Sequence, residues 1–335
     1  MNAVVLDAPG PVDHLHLRRL PVPEPGPGHV RIKVEAFGLN RSELHTRLGL
    51  AEGVTFPRVL GIEATGTVDA DPDGRLPRGT QVATMMGGMG RTYDGGYAEY
   101  TVVPRSQVIP FRSDLPWEIL GAVPETLQTA YGSLTTGLDL RPGQTLLIRG
   151  GTSALGPAAT GLAKQLGATV LATTRSASRL DDLAAHGADH PLVDDGSIAD
   201  RVRKILPEGV HAALELVGAP TLPDTLSATR VHGTVCFAGM LSNQWTVPDF
   251  YPIGYLPNGV RLTGYGGEAA DLPAEVLQGH LDRIADGDVT PGPVHVYTLD
   301  EIRTAHDDLE QGRRWASSSS GRRREVTAVR RGLGR

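Results

Sequence analysis

The chain has 335 residues, a net charge of −6 and a single cysteine, Cys236. Its length suits two domains, each with its own core, and 40% hydrophobic with 21% charged residues is globular rather than disordered composition. One cysteine excludes an internal disulfide and the zinc sites that need two or four cysteines, and the negative charge argues against nucleic acid as the main partner.

The opening MNAVVLDAPG has no basic n-region, and Asp7 interrupts its apolar run, so it does not read as a signal peptide. Residues 1–115 carry short β-type runs punctuated by proline and glycine. VRIKVEA (30–36) alternates apolar and polar residues with period two, as a half-buried strand does. Glu63–Val68, Gln81–Thr84 and Ala98–Val103 read as further strands.

From Gly143 the pattern changes. Gln144–Arg149, Thr169–Thr174, Pro191–Val193, Val210–Val217, Thr234–Ala238 and Arg261–Tyr265 are predicted strands. Helices are predicted over 155–166, 176–186, 198–206 and 220–230, with Ser176 or Ser178 as N-cap of the second. Strands alternating with helices mean βαβ units and a parallel sheet. The uncharged stretch 231–248 contains His232, Asn243, Gln244 and Pro248, which does not suit a membrane span. The expected location is the cytoplasm, with no membrane and no nucleic-acid partner.

The most informative segment is LLIRGGTSALGPAATGLAKQLGATVLATTR (146–175). A strand runs into Gly150, Gly151, Thr152, Ser153, Ala154, Leu155 and Gly156, and a helix follows. Glycines allow a sharp turn and a close approach to a ligand, and a helix start offers N–H donors and partial positive charge to a pyrophosphate. Gly156 would let helix pack closely on strand, and Pro157 suits a first helical turn. The pattern is G-x-S-x-x-G, with Ser153 at the middle glycine position. A P-loop would need Lys at 157, and a nucleophile elbow would need Gly at 155. The expectation is dinucleotide binding.

An NAD-preferring site places an acid at the end of the second strand. Here Thr174, Arg175, Ser176 and Arg179 stand there, and the first acid is Asp181. Arg175 and Arg179 with Ser176 suit a ribose 2′-phosphate, so NADPH is the expected cofactor. Gly218, at the end of the fourth strand, and Ala238 and Gly239, at the end of the fifth, would border the nicotinamide, since ligands sit beyond the carboxyl ends of parallel strands. Cys236 lies mid-strand and reads as an inert small hydrophobe.

With these segments in order, the chain resembles the medium-chain dehydrogenase/reductase superfamily, in its zinc-free quinone oxidoreductase (zeta-crystallin-like) branch. The matching segments are VRIKVEAFGLNRSELHTRLG, FPRVLGIEATGTV, GGYAEYTVV, PETLQTAYGSL, the GGTSALG turn and AALELVG, over residues 1–310. The resemblance implies an α/β fold: a GroES-like β domain at 1–120 and a Rossmann doubly wound parallel sheet at 121–266. A C-terminal segment, 267–335, would return to the first domain, with a cleft between the two. It also implies a homodimer, with strand pairing near 261–265. At the two zinc-ligand positions of zinc-containing relatives this chain has Asn40 and Ile62; Glu63 remains, and no metal is expected. MMGGMGRTYDGG (85–96) stands in place of a four-cysteine lobe.

Without a Lewis acid, hydrogen bonds must polarise the substrate, which suits quinones or α,β-unsaturated carbonyls better than simple alcohols. The resemblance places Asn40, Ser42, Tyr97 and Thr129 as catalytic candidates, with Tyr97 alternatively a packing residue. His45 reads as a surface residue once the zinc it would serve is absent. Tyr93 would line the pocket, as would Trp245, Phe250, Tyr251 and Tyr255 of the 241–258 loop, and Tyr131 would face the nicotinamide or pack the core. Alternatives are a biosynthetic enoyl reductase for one dedicated metabolite and a non-enzymatic NADPH-binding protein. A short-chain reductase does not fit, because no tyrosine precedes Lys33, Lys164 or Lys204 at Tyr-x-x-x-Lys spacing.

The family's usual last strand is not matched. The segment 313–335 holds eight arginines and one acid, and its final strand is either rebuilt near 325–329 or lost.

Overall fold

Two groups of strands organise the chain, and each builds its own core. The computed structural model describes residues 1–244, 246–291, 294–311 and 327–331, so Trp245 and most of the basic tail 313–335 lie outside the described residues. Residues 1–128 together with the stretch from Glu268 form one unit, and residues 129–267 form the other. The first division falls inside the helix Pro124–Gly132 rather than at residue 120. Glu125 N–H donates to Glu63 and Gln128 Nε2 donates to the Glu268 carbonyl, which ties 121–128 to the first unit.

The first unit is mostly β. A small sheet sets Asn2–Leu6 between Leu15–Arg19 and Arg58–Val59. The larger sheet runs Val294–Thr298, Thr327–Arg331, His29–Gly38, Glu63–Ala70, Gln81–Met85 and Ile109–Pro110, with Tyr100–Pro104 also pairing His29–Gly38. In His29–Gly38 the alternation puts Val30, Ile32 and Val34 into the core, as the period-two pattern predicts. The alternation stops at Ala36, after which Phe37 and Gly38 are buried too. There the strand changes neighbours: Tyr100–Pro104 pairs only as far as Lys33, and Thr327, Ala328 and Val329 pair in parallel with Ala36, Phe37 and Gly38. Of the two outcomes expected for the family's last strand, the structure has the rebuilt one. The core of this unit gathers Leu6, Leu15, Ile32, Phe37, Leu60 and Tyr97.

The second unit has six parallel strands in the order His190–Val193, Thr169–Thr174, Thr145–Arg149, Val210–Glu215, Thr229–Phe237, Arg261–Gly264. Counted along the chain, that is third, second, first, fourth, fifth, sixth, the doubly wound arrangement expected. Strand order reverses between Thr145–Arg149 and Val210–Glu215, where Arg149 pairs in register with Glu215. Leu147, Leu171, Ala213 and Val235 fill one face of the sheet. The helix Leu155–Gln165 follows the glycine turn as predicted. The next predicted helix is broken: a 3-10 turn, Ala177–Arg179, precedes the helix Leu180–Ala185. Neither serine caps it, because the Ser176 and Ser178 hydroxyls bind each other at 2.8 Å.

Candidate functional site

In the second unit, the strand Thr145–Arg149 ends on a fully buried arginine. Arg149 grips Asp194 with two bonds, Nε at 2.8 Å and Nη2 at 3.0 Å, and reaches Asp224 through Nη1 at 2.7 Å. The bidentate geometry and buried partners are what a guanidinium needs to leave water. The network runs on to the turn. Asp194 accepts from the Thr173 hydroxyl at 3.3 Å, and that hydroxyl accepts the Gly150 N–H at 3.0 Å. Gly150 is thus held at the carboxyl edge of the sheet, with a φ of +89° that favours glycine.

Gly156 shows why a side chain is excluded here. A Cβ on it would stand 1.9 Å from the Gly151 carbonyl oxygen, so helix and turn approach as closely as predicted. Ser153, buried in the middle glycine position, uses its hydroxyl to accept the Gly156 N–H at 3.2 Å. Thr152 donates to Thr174 at 3.4 Å and Gly151 N–H bonds the Thr173 carbonyl, so the first two strand ends are joined. Ala154 and Leu155 carry the turn into the helix.

Beyond the second strand the two arginines differ. Arg179 is engaged: its Nε donates to Asp182 at 2.8 Å and its Nη1 to the Thr152 carbonyl at 3.4 Å. Arg175 is exposed, and among the described residues it makes no hydrogen bond or ion pair. Glu215, buried beside Arg149, is caged by the Val217 and Gly218 N–H groups and the Thr221 and Thr225 hydroxyls. That cage sets the turn at Gly218, whose φ is +127° and where a Cβ would meet the Gln244 carbonyl oxygen and Ser242 Oγ, each at 2.6 Å. The Ala238 and Gly239 N–H groups both bond the Glu215 carbonyl.

In the first unit, Asn40 precedes the helix Arg41–Arg47, and its N–H is accepted by Glu43 at 3.1 Å. Its side-chain amide donates to Glu63 Oε1 at 2.8 Å. Glu63 takes the Glu125 N–H on its other oxygen at 3.0 Å. Glu43 takes the Ile62 N–H at 2.8 Å. Glu43 and Glu63 are both buried, and neither has a cation within ion-pair distance among the described residues. Desolvation pushes the Glu43 carboxyl up to about 7 and, aided by the charge of Glu125, the Glu63 carboxyl up to about 8. Ile62 offers this cluster only a backbone N–H. Among the described residues no group of three His, Cys, Asp or Glu side chains is placed to hold a metal ion.

Ser42 accepts a hydrogen bond from Arg91 of the loop between Gln81–Met85 and Tyr100–Pro104. Glu43 and Arg91 escaped sequence reasoning. Glu43 has a signal, since Asn-x-x-Glu is a capping-box spacing; Arg91 has none.

Two expectations are corrected. Tyr97 is fully buried, stacked on Phe37 at a centroid distance of 4.5 Å, with its hydroxyl 3.2 Å from His306 Nε2. It is a packing residue, out of a substrate's reach. His45 is 6% exposed, not on the surface, because it lies on the inward face of its helix with Leu44. Thr129 and Tyr131 are half-buried in the helix Pro124–Gly132, and Tyr93 donates to Gln107. Phe250 and Tyr251 are exposed, while Tyr255 packs against the core of its unit. Cys236 is buried and its thiol pushed up to about 11 by desolvation, as expected of an inert residue.

The alcohol dehydrogenase GroES-like domain matches residues 26–113, and the zinc-binding dehydrogenase family matches residues 154–278. A putative quinone oxidoreductase, YhfP of Bacillus subtilis, is 25% identical over 295 residues, covering 83% of this chain and 89% of its own. Mycobacterial Rv1454c, solved in complex with NADPH, is 27% identical with a TM-score of 0.79, covering 98% of this chain and 99% of that one. An NAD-dependent alcohol dehydrogenase is 25% identical with a TM-score of 0.80 over 99% of both chains. Domain order, sheet topology and these likenesses agree: the chain belongs to the medium-chain dehydrogenase/reductase superfamily, in its quinone oxidoreductase branch.

Proposed function

We propose that the chain is an NADPH-dependent reductase of quinones or α,β-unsaturated carbonyls that works without zinc. The observation that carries this reading is the pairing of a built dinucleotide turn with a zinc position that has been replaced. Gly156 closes tightly on Gly151 at the turn, while Glu63 accepts from the Asn40 amide and the Glu125 N–H, and Ile62 gives only its backbone N–H, to Glu43.

The residues of the second unit fit the cofactor. Gly150, Gly151, Thr152, Ser153, Ala154, Leu155 and Gly156 would cradle the pyrophosphate. Gly218, Ala238 and Gly239, at two strand ends, would border the nicotinamide together with Thr129. Thr174, Ser176 and Arg175 would meet the 2′-phosphate, with Arg179 reaching it from its place on Asp182. When bound, the cofactor supplies a hydride to the conjugated system, and one proton from water completes the two-electron reduction. The Asn40 amide and the Ser42 hydroxyl would hold the substrate oxygen, where negative charge grows as hydride arrives. The mycobacterial relative solved with NADPH supports this cofactor. The proposal includes a cytoplasmic homodimer; Arg261–Gly264 ends its sheet and, among the described residues, offers an edge for pairing.

The cofactor assignment is tested by Arg175→Ala. We expect the KM for NADPH to rise about 10- to 100-fold, because charge-assisted bonds to phosphate are lost. The KM for NADH should move less than about 3-fold, since it lacks that phosphate. Equal changes for the two cofactors would remove Arg175 from the site.

A further inference from the structure

We propose that Arg91 makes the site select substrates that carry a carboxylate beside the reducible double bond. The inference rests on the reductase reading above and deepens it. Arg91 sits in the loop that replaces the zinc lobe, and its Nη2 donates to the Ser42 hydroxyl. Its Nε is sealed from solvent with no hydrogen-bond partner, and no carboxylate lies within ion-pair distance of it among the described residues. Four other arginines of this unit each have a carboxylate partner, Arg31 with Asp69, Arg47 with Glu310, Arg58 with Asp94 and Arg105 with Asp71, although the Nε atoms of Arg47, Arg58 and Arg105 also lack a hydrogen-bond partner. Arg91, half-buried, meets only a hydroxyl among the described residues, so its charge has no counter-ion there.

The loop keeps it there. Arg91 and Thr92 N–H groups both bond the Gly88 carbonyl, and Met86 N–H bonds the Ile62 carbonyl at 2.7 Å. A Cβ at Gly90 would stand 2.7 Å from the Gly61 carbonyl oxygen, so the loop lies directly along residues 61–62. The cation is therefore fixed beside Ser42, two residues from Asn40. A guanidinium has five donors in a planar fork, and one hydroxyl leaves most of them available to a carboxylate. A ligand carboxylate would supply the counter-charge that the described residues withhold.

The test compares trans-4-oxopent-2-enoate with its methyl ester as NADPH-dependent substrates. It also measures binding of the saturated acid 4-oxopentanoate by calorimetry, which needs no turnover. Arg91→Gln should lower kcat/KM for the acid about 30- to 100-fold more than for the ester, any loss common to both reporting the Ser42 hydroxyl that Arg91 orients. The same variant should abolish 4-oxopentanoate binding, and Arg91→Lys should restore part of both. Equal losses on acid and ester, or 4-oxopentanoate binding unchanged in Arg91→Gln, would overturn the inference. Arg91-dependent binding of 4-oxopentanoate without reduction of either enone would uphold the anion site and overturn the reductase reading instead.

Discussion

Arg149→Met is expected to destabilise the nucleotide-binding unit by about 3–5 kcal/mol, the usual effect of removing one partner from a buried ion network. Methionine fills much of the same volume, so the loss is electrostatic rather than a cavity. Asp194 and Asp224 would keep their charges with the guanidinium gone, and Asp194 is only 8% exposed. The change also reaches the phosphate-binding turn, because Asp194 orients the Thr173 hydroxyl that receives the Gly150 N–H. NADPH affinity should therefore fall together with stability. Urea denaturation followed by circular dichroism reads the first effect and fluorescence titration the second. Adding Asp194→Asn and Asp224→Asn should recover part of the stability, since the uncompensated charges are then removed. A loss below about 1 kcal/mol in Arg149→Met would show that the network contributes little there.

The second large effect is on pH dependence. The Glu43 and Glu63 carboxyls are raised in the folded state, to about 7 and about 8, above the ordinary glutamate range. Between those values and an unfolded pKa near 4.5, the folded chain binds more protons than the unfolded one. These two groups therefore make stability fall as pH rises. The penalty is absent below pH about 4.5 and complete above pH about 8, with a size on the order of 3–5 kcal/mol per carboxyl. Glu43→Gln with Glu63→Gln should flatten this slope, because glutamine resembles the protonated acid. His306, buried and held down to about 3, works in the opposite direction below pH about 6.5 and is unchanged in the double variant. The difference between the two proteins across pH 5–9 thus isolates the carboxyls. An unchanged slope would mean that both are already ionised at pH 5.

Much of this was legible in the sequence, for a physical reason. Residues 146–175 dictate strand, turn and helix through local periodicity and glycine placement, and the structure follows them almost residue for residue. Gly156 was read correctly because its constraint comes from a turn five residues away. The Arg149 network was not legible. Its partners lie 45 and 75 residues along the chain, and only the parallel sheet brings them together. Glu43 and Glu63 show the same limit. Each is an ordinary acid in its own segment, and both are buried because the strand Glu63–Ala70 and the helix Arg41–Arg47 close on one another. Tyr97 and His45 were misjudged in opposite senses, since family position gives a residue's neighbourhood and not its exposure. The last strand, Thr327–Arg331, carried no familiar signature, yet its backbone pairs with Ala36–Gly38. Backbone pairing, here with a strand on either side, is tolerant of side-chain identity.

Reduction by NADPH without zinc sets this reading apart from alcohol dehydrogenation by a metal enzyme. The most direct measurement is NADPH oxidation across a panel of quinones, enals and enones, after exhaustive dialysis against a chelator and with the metal content determined. Protein containing no stoichiometric zinc should turn over at least one class. Activity that is lost on chelation and restored by zinc, or no oxidation with any member of the panel, would contradict it.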